Sequence, residues 1–519
     1  NNNSCNVSKY LSNNVSTTFK SKIFLMILAA WMAVGAMAQT KMSPAMRSAV
    51  MRDATVKKSV ARSNAMQAFV TVDNATADQL RRCGAKVSSR VGNMVAVEAS
   101  SEALVRIASL QGVKSVSATS SLKLHCDSAR SYTHTSDVLT GRGLPMPYDG
   151  TGVILGMVDC GIEYQHPAFK DANGNSRISR VYHPAGTGGG VVVIDGDTLP
   201  GCDFTTPDDR AMSHGCHTTG IAAGSMVGKY GGMAPGAELV LAGIPNSELN
   251  DYNVIMAALY IAHYAHSVGR PCVINMSLGN HDGPHDGTGL LARGIDELSE
   301  KYGTIFVLSS GNEAGKGLYL HKKFTPEDHA LRSVMSATLS NSSDIDIWSR
   351  TDSPLSISYS IYDNSQDAIV CTSAPITCDT VINLSNDPVL GKYASGFIYI
   401  SQGLDMTNGK YRIYVDHAAR TVTGMYLAFS VDGAEDGEVD VWDVNTNAGF
   451  ASCNLMGYSD GDDICSISDM ATGEHSISVG ACAARATYPV VNSQYNSGYV
   501  IGSMARFSSY GIDVNGNLY

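Results

Sequence analysis

The chain has 519 residues, of which 44% are hydrophobic and 16% are charged, a composition that supports sizeable buried cores and about three domains and excludes a disordered chain. Its net charge of −11 excludes the basic footprint of a nucleic-acid-binding protein. The twelve cysteines are too sparse for a disulfide-built scaffold, and no Cys/His spacing indicates a zinc site.

Residues 1–38 have the pattern of an export signal. Two lysines precede the apolar run 23–34, and Ala36-Met37-Ala38 is a small-x-small cleavage site. The alternative, a transmembrane anchor, requires about 20 apolar residues, which is more than this run has. We therefore expect a secreted or extracytoplasmic protein with no membrane span in its mature form. Because the chain begins with Asn rather than Met, we also expect it to be a fragment at this end.

Residues 39–122 lie between this signal and a larger domain. Within them, residues 66–118 show strands and helices in the order βαββαβ, which is the ferredoxin-like arrangement. The pattern predicts a small α+β domain. Its position favours a propeptide over an ordinary accessory domain.

Residues 123–320 have the pattern of an α/β domain. The run 153–158 is continuously apolar, as is typical of a strand buried on both faces of a parallel sheet. Alternating strands and helices predict a doubly wound, mostly parallel sheet, with ligands at the carboxyl ends of its strands. The further predicted elements are strands at 238–242, 272–276 and 304–308 and helices at 251–267 and 290–301.

Residues 321–470 lack the α/β pattern of residues 123–320, and their sequence pattern predicts an all-β domain. Several short strands are separated by Asp, Asn and Gly turns, which is typical of a sandwich or jelly roll. Residues 471–519 then return to the α/β pattern. The β domain is therefore predicted to be an insertion in the α/β domain.

Three polar clusters stand at strand ends or at a helix start. They are Asp159-Cys160-Gly161, the run from His214 to Gly224, and Ser310-Gly311-Asn312-Glu313. A carboxylate at a buried strand end needs a donor partner, and an amide there can donate into a pocket. Taken singly, each has a plain alternative: a structural carboxylate, a metal-binding pair formed by His214 and His217, or a turn asparagine. No third metal ligand stands near the two histidines.

Together the clusters resemble the subtilisin-like serine peptidases, or subtilases. The order Asp, His, oxyanion Asn matches that family, apart from Cys160 and Cys216, where the family usually has Ser or Thr. The segment 273–279 resembles the substrate-binding strand, and segments 233–237 and 505–511 match two further family boxes. The ferredoxin-like segment resembles the family's propeptide, and the β insertion resembles that of some clostridial-type subtilases.

The resemblance implies a role for each matching residue. His214 would be the general base and then the general acid, and Asp159 would orient it. Asn312 would donate to the oxyanion, and Ser277-Leu278-Gly279 would pair with the substrate backbone. The implied partners are polypeptide substrates and the protein's own propeptide, which would act as an inhibitor. No cofactor is implied for the chemistry; calcium is common in the family, but no acidic loop in this sequence indicates a site for it.

The nucleophile is missing from the pattern. The family box Gly-Thr-Ser-Met-Ala-x-Pro has no match, and Gly502-Ser503-Met504-Ala505 lacks its Thr and its Pro. We therefore expect the nucleophilic Ser to be absent from this chain, the sequence to end before it, and the fragment to be inactive. The alternatives are a catalytically inactive pseudoprotease that binds proteins, and an adhesion module with a residual protease core.

Overall fold

The computed structural model describes residues 41–42, 66–73, 75–91, 94–118, 126–184, 191–195, 214–225, 231–335, 343–445, 449–490, 493–511, 513 and 516. They divide into two compact units, residues 1–123 with 487–497, and residues 124–486 with 498–519. The predicted signal peptide at 1–38 lies outside the described residues. Within the described ranges, no helix is long and apolar enough to cross a membrane.

The first unit contains the predicted ferredoxin-like arrangement. Its sheet has the order β2-β3-β1-β4, and neighbouring strands run antiparallel. Thr76 and Gln79 form a capping box at the start of α1, and Ser100 caps α2. The prediction of a βαββαβ domain is confirmed. Its elements are β1 (Met66–Val72), α1 (Ala77–Arg82), β2 (Lys86–Val91), β3 (Met94–Ala99), α2 (Ser101–Ala108) and β4 (Val113–Ala118).

The second unit opens with an α/β domain. After two short helices come three strands in succession, and from α5 onward helices and strands alternate, as the sequence predicts for 238–308. The elements are α3 (Cys126–Tyr132), α4 (Thr135–Thr140), β5 (Ile154–Asp159), β6 (Ile178–Pro184), β7 (Val191–Asp195), α5 (His214–Ala223), β8 (Glu238–Gly243), α6 (Asp251–Ser267), β9 (Cys272–Met276), α7 (Leu290–Tyr302) and β10 (Ile305–Ser309).

The inserted domain is built from two antiparallel sheets. Residues of both sheets, among them Ile347 and Tyr359, share one buried core. The strands are β11 (Tyr319–Lys323), β12 (Ala330–Met335), β13 (Ser343–Ser349), β14 (Ser356–Asp363), β15 (Ala368–Thr372), β16 (Thr380–Asn383), β17 (Ala394–Leu404), β18 (Tyr411–Thr421), β19 (Met425–Asp432), β20 (Glu438–Asp443) and β21 (Phe450–Ala451).

The strand orders identify this sandwich as a jelly roll. One sheet contains β11-β20-β13-β18 and the other contains β15-β14-β19-β12. Successive strands β11 to β14 alternate between the sheets, and β18 to β20 return beside them, which is the double Greek key of a jelly roll. Strands β16 and β17 extend the first sheet, and β21 extends the second. The predicted all-β insertion is confirmed.

After the jelly roll the chain rejoins the α/β domain through β22 (Ser476–Val479). The completed sheet has the order β22-β10-β9-β5-β8-β6-β7, with six parallel strands and an antiparallel β7 at one edge. This confirms the doubly wound sheet. A final hairpin, β23 (Thr487–Val490) and β24 (Ser493–Asn496), belongs to the first unit.

The two faces of the parallel sheet are covered differently. Helices α6 and α7 share a large buried core with one face. On the other face, α5 packs over β5, β8 and β6. Beyond α5, the apolar residues Ile305, Ile477 and Val479 on β10 and β22 are 48–53% exposed. Half of this face is therefore covered and half is apolar and open to solvent.

Candidate active site

Asp159 is the last residue of β5, and its side chain is fully buried. Its Oδ1 accepts hydrogen bonds from His214 Nδ1 at 2.6 Å and from the Cys160 N–H at 2.7 Å. Its Oδ2 accepts one from Thr218 Oγ1 at 2.8 Å. Because a buried carboxylate without donors costs several kcal/mol, these three bonds are what allow Asp159 to remain an acceptor at this strand end.

His214 is the first residue of α5, and its side chain is 45% exposed. With a carboxylate bound at Nδ1, the ring carries its proton there, and Nε2 keeps its lone pair. Among the described residues, no hydroxyl or thiol is bonded to Nε2. The arrangement therefore gives a base that is anchored at one nitrogen and accessible to solvent at the other.

Close packing brings α5 to the end of β5. The Gly215 N–H donates to the Cys160 carbonyl at 2.5 Å, and the Cys216 N–H donates to the Gly161 carbonyl at 3.0 Å. A Cβ at position 215 would lie 2.5 Å from Ile162 Cγ1. Any side chain at position 215 would therefore push His214 away from Asp159, which explains the Gly after His in this motif.

Thr218 is a site residue that the sequence analysis missed. It lies four residues after His214 on the same helix face and reaches the second carboxylate oxygen of Asp159. The one sequence feature that points to Thr218 is its i+4 spacing from His214, the proposed base, which places both residues on one helix face. That spacing alone does not reveal a partner on another element.

The two cysteines of the motifs lie beside this pair. Cys160 is 5% exposed, and Cys216 is partly buried. The Cys216 Sγ accepts a hydrogen bond from the Glu163 N–H at 3.1 Å. Cys216 thus joins the first turn of α5 to the loop that follows β5.

The predicted substrate-binding segment Ser277-Leu278-Gly279 directly follows β9. The Asn275 amide donates to Ser277 Oγ at 3.1 Å, and Ser309 Oγ at the end of β10 donates to the Leu278 carbonyl at 2.9 Å. Strands β5, β9 and β10 are neighbours and run parallel. Their carboxyl ends therefore place this segment between the Asp159 end and the Asn312 end of the sheet edge.

Asn312 follows β10 in a tightly bonded turn. Its side chain is exposed, while its backbone N–H donates to Glu313 Oε2 at 2.6 Å. Ser509 fixes the same turn, because its N–H donates to the Gly311 carbonyl and its Oγ contacts Glu313 at 3.1 Å. A Cβ at Gly311, whose φ is +115°, would collide with Glu313 at 2.5 Å.

Glu313 is held as an ionised acceptor in this turn. Burial alone would raise the pKa of its carboxyl. His281, whose Nε2 lies 3.8 Å away, and the hydrogen bonds from Asn312 and Ser509 outweigh burial and hold the pKa of Glu313 below its ordinary value. The position of the Asn312 backbone therefore depends on Glu313.

The loop 280–289, which follows the predicted substrate-binding segment, is bonded to the jelly roll. The Gly283 N–H donates to Asp346 Oδ2 at 3.0 Å. Arg412 donates to both oxygens of the same carboxylate, at 2.7 and 3.0 Å, and also to Asp282. Lys410 pairs with Asp286. The inserted domain thus contacts the loop through charged and backbone groups along its length.

Ser503 lies in a turn. Its Oγ donates to the Val500 carbonyl at 2.7 Å, and its N–H donates to the same oxygen at 3.0 Å. The turn pairs with residue 483 through the Ser503 carbonyl. Ser503 therefore does not open a helix, and it makes no hydrogen bond to His214.

Comparisons with known proteins show a similar sequence family and a similar fold. Residues 150–386 match the model of the subtilase family. Pyrolysin of Pyrococcus furiosus is 36% identical over 89 residues, which cover 17% of this chain and 6% of pyrolysin. The CspB protease of Clostridium perfringens has a similar fold, with a TM-score of 0.55 over 75% of this chain and 79% of that one, at 18% identity. Residues 150–386 are therefore similar in sequence to the subtilase family, and the fold is similar to that of a solved protease.

Proposed function

We propose that the natural protein is a secreted serine-type endopeptidase made as a zymogen. The observation that carries the proposal is the pair formed by the buried Asp159 and the half-exposed His214, joined at 2.6 Å at the carboxyl edge of a parallel sheet. The similarity to the subtilase family supports a serine peptidase, and the substrates would be polypeptides.

The proposed reaction uses side chains alone. His214 Nε2 takes the proton of a serine hydroxyl as the oxygen attacks the peptide carbonyl, and then gives that proton to the leaving amine. Asp159 holds the imidazole in the required tautomer and stabilises the imidazolium. The Asn312 amide donates to the developing oxyanion. No position is assigned to a structural calcium ion.

The substrate would bind as an additional strand along Ser277-Leu278-Gly279. This segment follows the last hydrogen-bonded residues of β9, at the edge where Asp159 and Asn312 also lie. A bound strand would bring its scissile carbonyl between His214 and Asn312.

The serine of this proposal lies outside the 519 residues and opens a helix that packs on the open half of the sheet. The apolar face formed by Ile305, Ile477 and Val479 supports this position, because exposed apolar patches of this kind mark packing surfaces. A helix there would start near the same sheet edge as Asp159.

A pseudoprotease that binds proteins is the second candidate. It is favoured by one observation, the absence of a Gly-Thr-Ser box from the printed sequence. The two candidates make opposite predictions for the natural protein, because only the peptidase turns over substrate.

The experiment compares cleavage of casein by the natural full-length protein and by the 519-residue chain. We expect cleavage only from the longer protein. Asp159→Asn should lower its kcat by about 10⁴-fold, and Asn312→Ala by about 10²–10³-fold, which is the range known for loss of one oxyanion donor in this enzyme class. A folded full-length protein with no cleavage at all would support the pseudoprotease instead.

A further inference from the structure

The carboxylate of Asp159 has two oxygens with different surroundings. Oδ1 accepts from His214 and from the Cys160 N–H. Oδ2 accepts from the Thr218 hydroxyl at 2.8 Å, and Thr218 is its side-chain donor among the described residues. The two donors on Oδ1 fix the position of that oxygen but leave the carboxylate group free to rotate about it. A donor on Oδ2 therefore fixes the orientation of the carboxylate plane.

The geometry of α5 explains how one helix supplies both partners. Residues four apart lie on the same helix face, so His214 and Thr218 both project toward the end of β5. Gly215 allows the helix to approach closely enough for both contacts. The first turn of α5 therefore places an imidazole at Oδ1 of Asp159 and a hydroxyl at Oδ2.

We propose that Thr218 is a positioning residue of the active site, which acts on His214 by fixing the Asp159 carboxylate from its second oxygen. This inference deepens the proposed function and rests on it for its catalytic consequence. Thr218 touches neither substrate nor nucleophile, so it acts through Asp159.

An alternative role for a helical threonine hydroxyl is a bond to a backbone carbonyl of the preceding turn. Thr218 Oγ1 does lie 3.3 Å from the His214 carbonyl and 3.2 Å from the Gly215 carbonyl. The contact with Asp159 is shorter, and a bond to an ionised carboxylate is stronger than one to a neutral carbonyl. A hydroxyl has one hydrogen, so we assign it to Asp159.

The first test measures catalysis by the natural full-length protein. Thr218→Val removes the hydroxyl and keeps the shape of the side chain, and we expect kcat to fall by about 10- to 100-fold with KM unchanged. Thr218→Ser should restore most of the rate. The matched control is Thr140→Val, which removes a hydroxyl bonded to backbone carbonyls within α4 and not to Asp159.

The second test needs no activity. In protein labelled with ¹⁵N-histidine, the His214 Nδ1–H signal is assigned by its loss in His214→Gln. We expect the exchange of this proton with water to be about tenfold faster in Thr218→Val and in Thr218→Ala than in the wild type, and to return to the wild-type rate in Thr218→Ser. Thermal unfolding confirms that each variant is folded.

The outcomes separate the two proposals. Unchanged exchange of the His214 proton in folded Thr218→Val would overturn the role of Thr218, whether or not the protein cleaves substrate. The role of Thr218 would also be overturned if kcat fell equally in Thr218→Val, in Thr218→Ser and in the control Thr140→Val. A wild-type protein without cleavage would refute the peptidase, while the exchange measurement would still decide how Thr218 acts.

Discussion

The imidazole of His285 lies flat on the indole of Trp442, with ring centroids 4.2 Å apart and planes 9° apart. Trp442 belongs to β20 of the jelly roll, and His285 belongs to the loop 280–289 after the proposed substrate-binding segment 277–279. On its other side, His285 stacks on His281, whose Nε2 lies 3.8 Å from Glu313 beside Asn312. The jelly roll is thus connected through three rings to the turn that carries the proposed oxyanion donor.

The first prediction is that the jelly roll restrains the loop 280–289. Arg412→Met leaves the fully buried Asp346, which accepts the Gly283 N–H, without its cationic partner. Breaking such a pair costs about 3–5 kcal/mol. We expect faster amide hydrogen exchange in residues 277–289, measured by mass spectrometry.

The control for this prediction is Arg350→Met. Arg350 pairs with the similarly buried Asp440 in the same sheet, and in the described part of the chain the hydrogen bonds of the Asp440 carboxylate go to Tyr319, His321 and Arg350 rather than to the loop. Both variants lose a buried ion pair, so both should lower the stability of the jelly roll. Equal exchange of residues 277–289 in the two variants would show that the jelly roll does not restrain the loop.

The second prediction concerns pH and Asp469, which is fully buried beside this loop. Burial, helped by Asp286 and Asp346, raises the pKa of Asp469 to about 8, against an unfolded value of about 3.9. The folded protein therefore binds the proton more tightly, and its stability falls as pH rises from about 4 to about 8, by up to ~1.4 kcal/mol per pH unit.

Asp469→Asn tests this dependence, because Asn cannot ionise but still accepts the His285 N–H. Urea unfolding is measured at about pH 7 and pH 8, both above the value of about 6 to which burial raises the pKa of Asp346. The wild type should lose stability across this interval, and the variant should lose markedly less. Identical losses would mean that Asp469 does not titrate there.

The third prediction is that a bulky thiol reagent inhibits the natural enzyme. Cys216 lies two residues after His214, and its Sγ is bonded to the Glu163 N–H, so a mercurial on this sulfur should displace the first turn of α5. We expect loss of cleavage, and recovery with excess dithiothreitol. Cys216→Thr should resist the reagent, whereas Cys378→Ser, at an exposed jelly-roll position, should remain as sensitive as the wild type. Full activity with Cys160 and Cys216 both shown to be modified would rule the effect out.

The fourth prediction is that residues 39–122 inhibit the mature enzyme when added in trans. Parallel sheets fold slowly because their contacts are non-local, which gives a folding assistant a purpose as well. We expect inhibition at micromolar concentrations in a cleavage assay. Leu104→Ala, which removes a fully buried side chain from a small core at about 2–5 kcal/mol, should unfold the segment and abolish inhibition. Unchanged cleavage rates with the folded segment present would contradict the inhibitor role.

The parallel sheet could be predicted from the sequence because its central strands β5 and β8 are buried on both faces. The run ending at Asp159 is continuously apolar, and helix α6 was predicted at the residues where it occurs, 251–267. The jelly roll was predicted as a class from its turns, yet its connection to the loop 280–289 was not. Contacts such as Asp346 with Gly283 join residues 63 apart in the chain, and no local pattern encodes them.

In the candidate site, too, some residues can be predicted from local sequence motifs and others only from the folded chain. Asp159, His214 and Asn312 could be proposed as site residues from the sequence because each stands in a short motif at an element end. Thr218 could not, since its role depends on which oxygen of Asp159 it reaches. Glu313 stands in the same motif as Asn312, but its contacts with Ser509, 196 residues away, appear only in the folded chain.

The most direct test of the account is to find the nucleophile chemically. The natural full-length protein is treated with a fluorophosphonate, and the modified serine is located by mass spectrometry. We predict one modified serine, in a Gly-Thr-Ser sequence outside residues 1–519, and no modification in His214→Ala. Modification of Ser503, dependent on His214, would contradict the account, because Ser503 would then be the nucleophile within this chain.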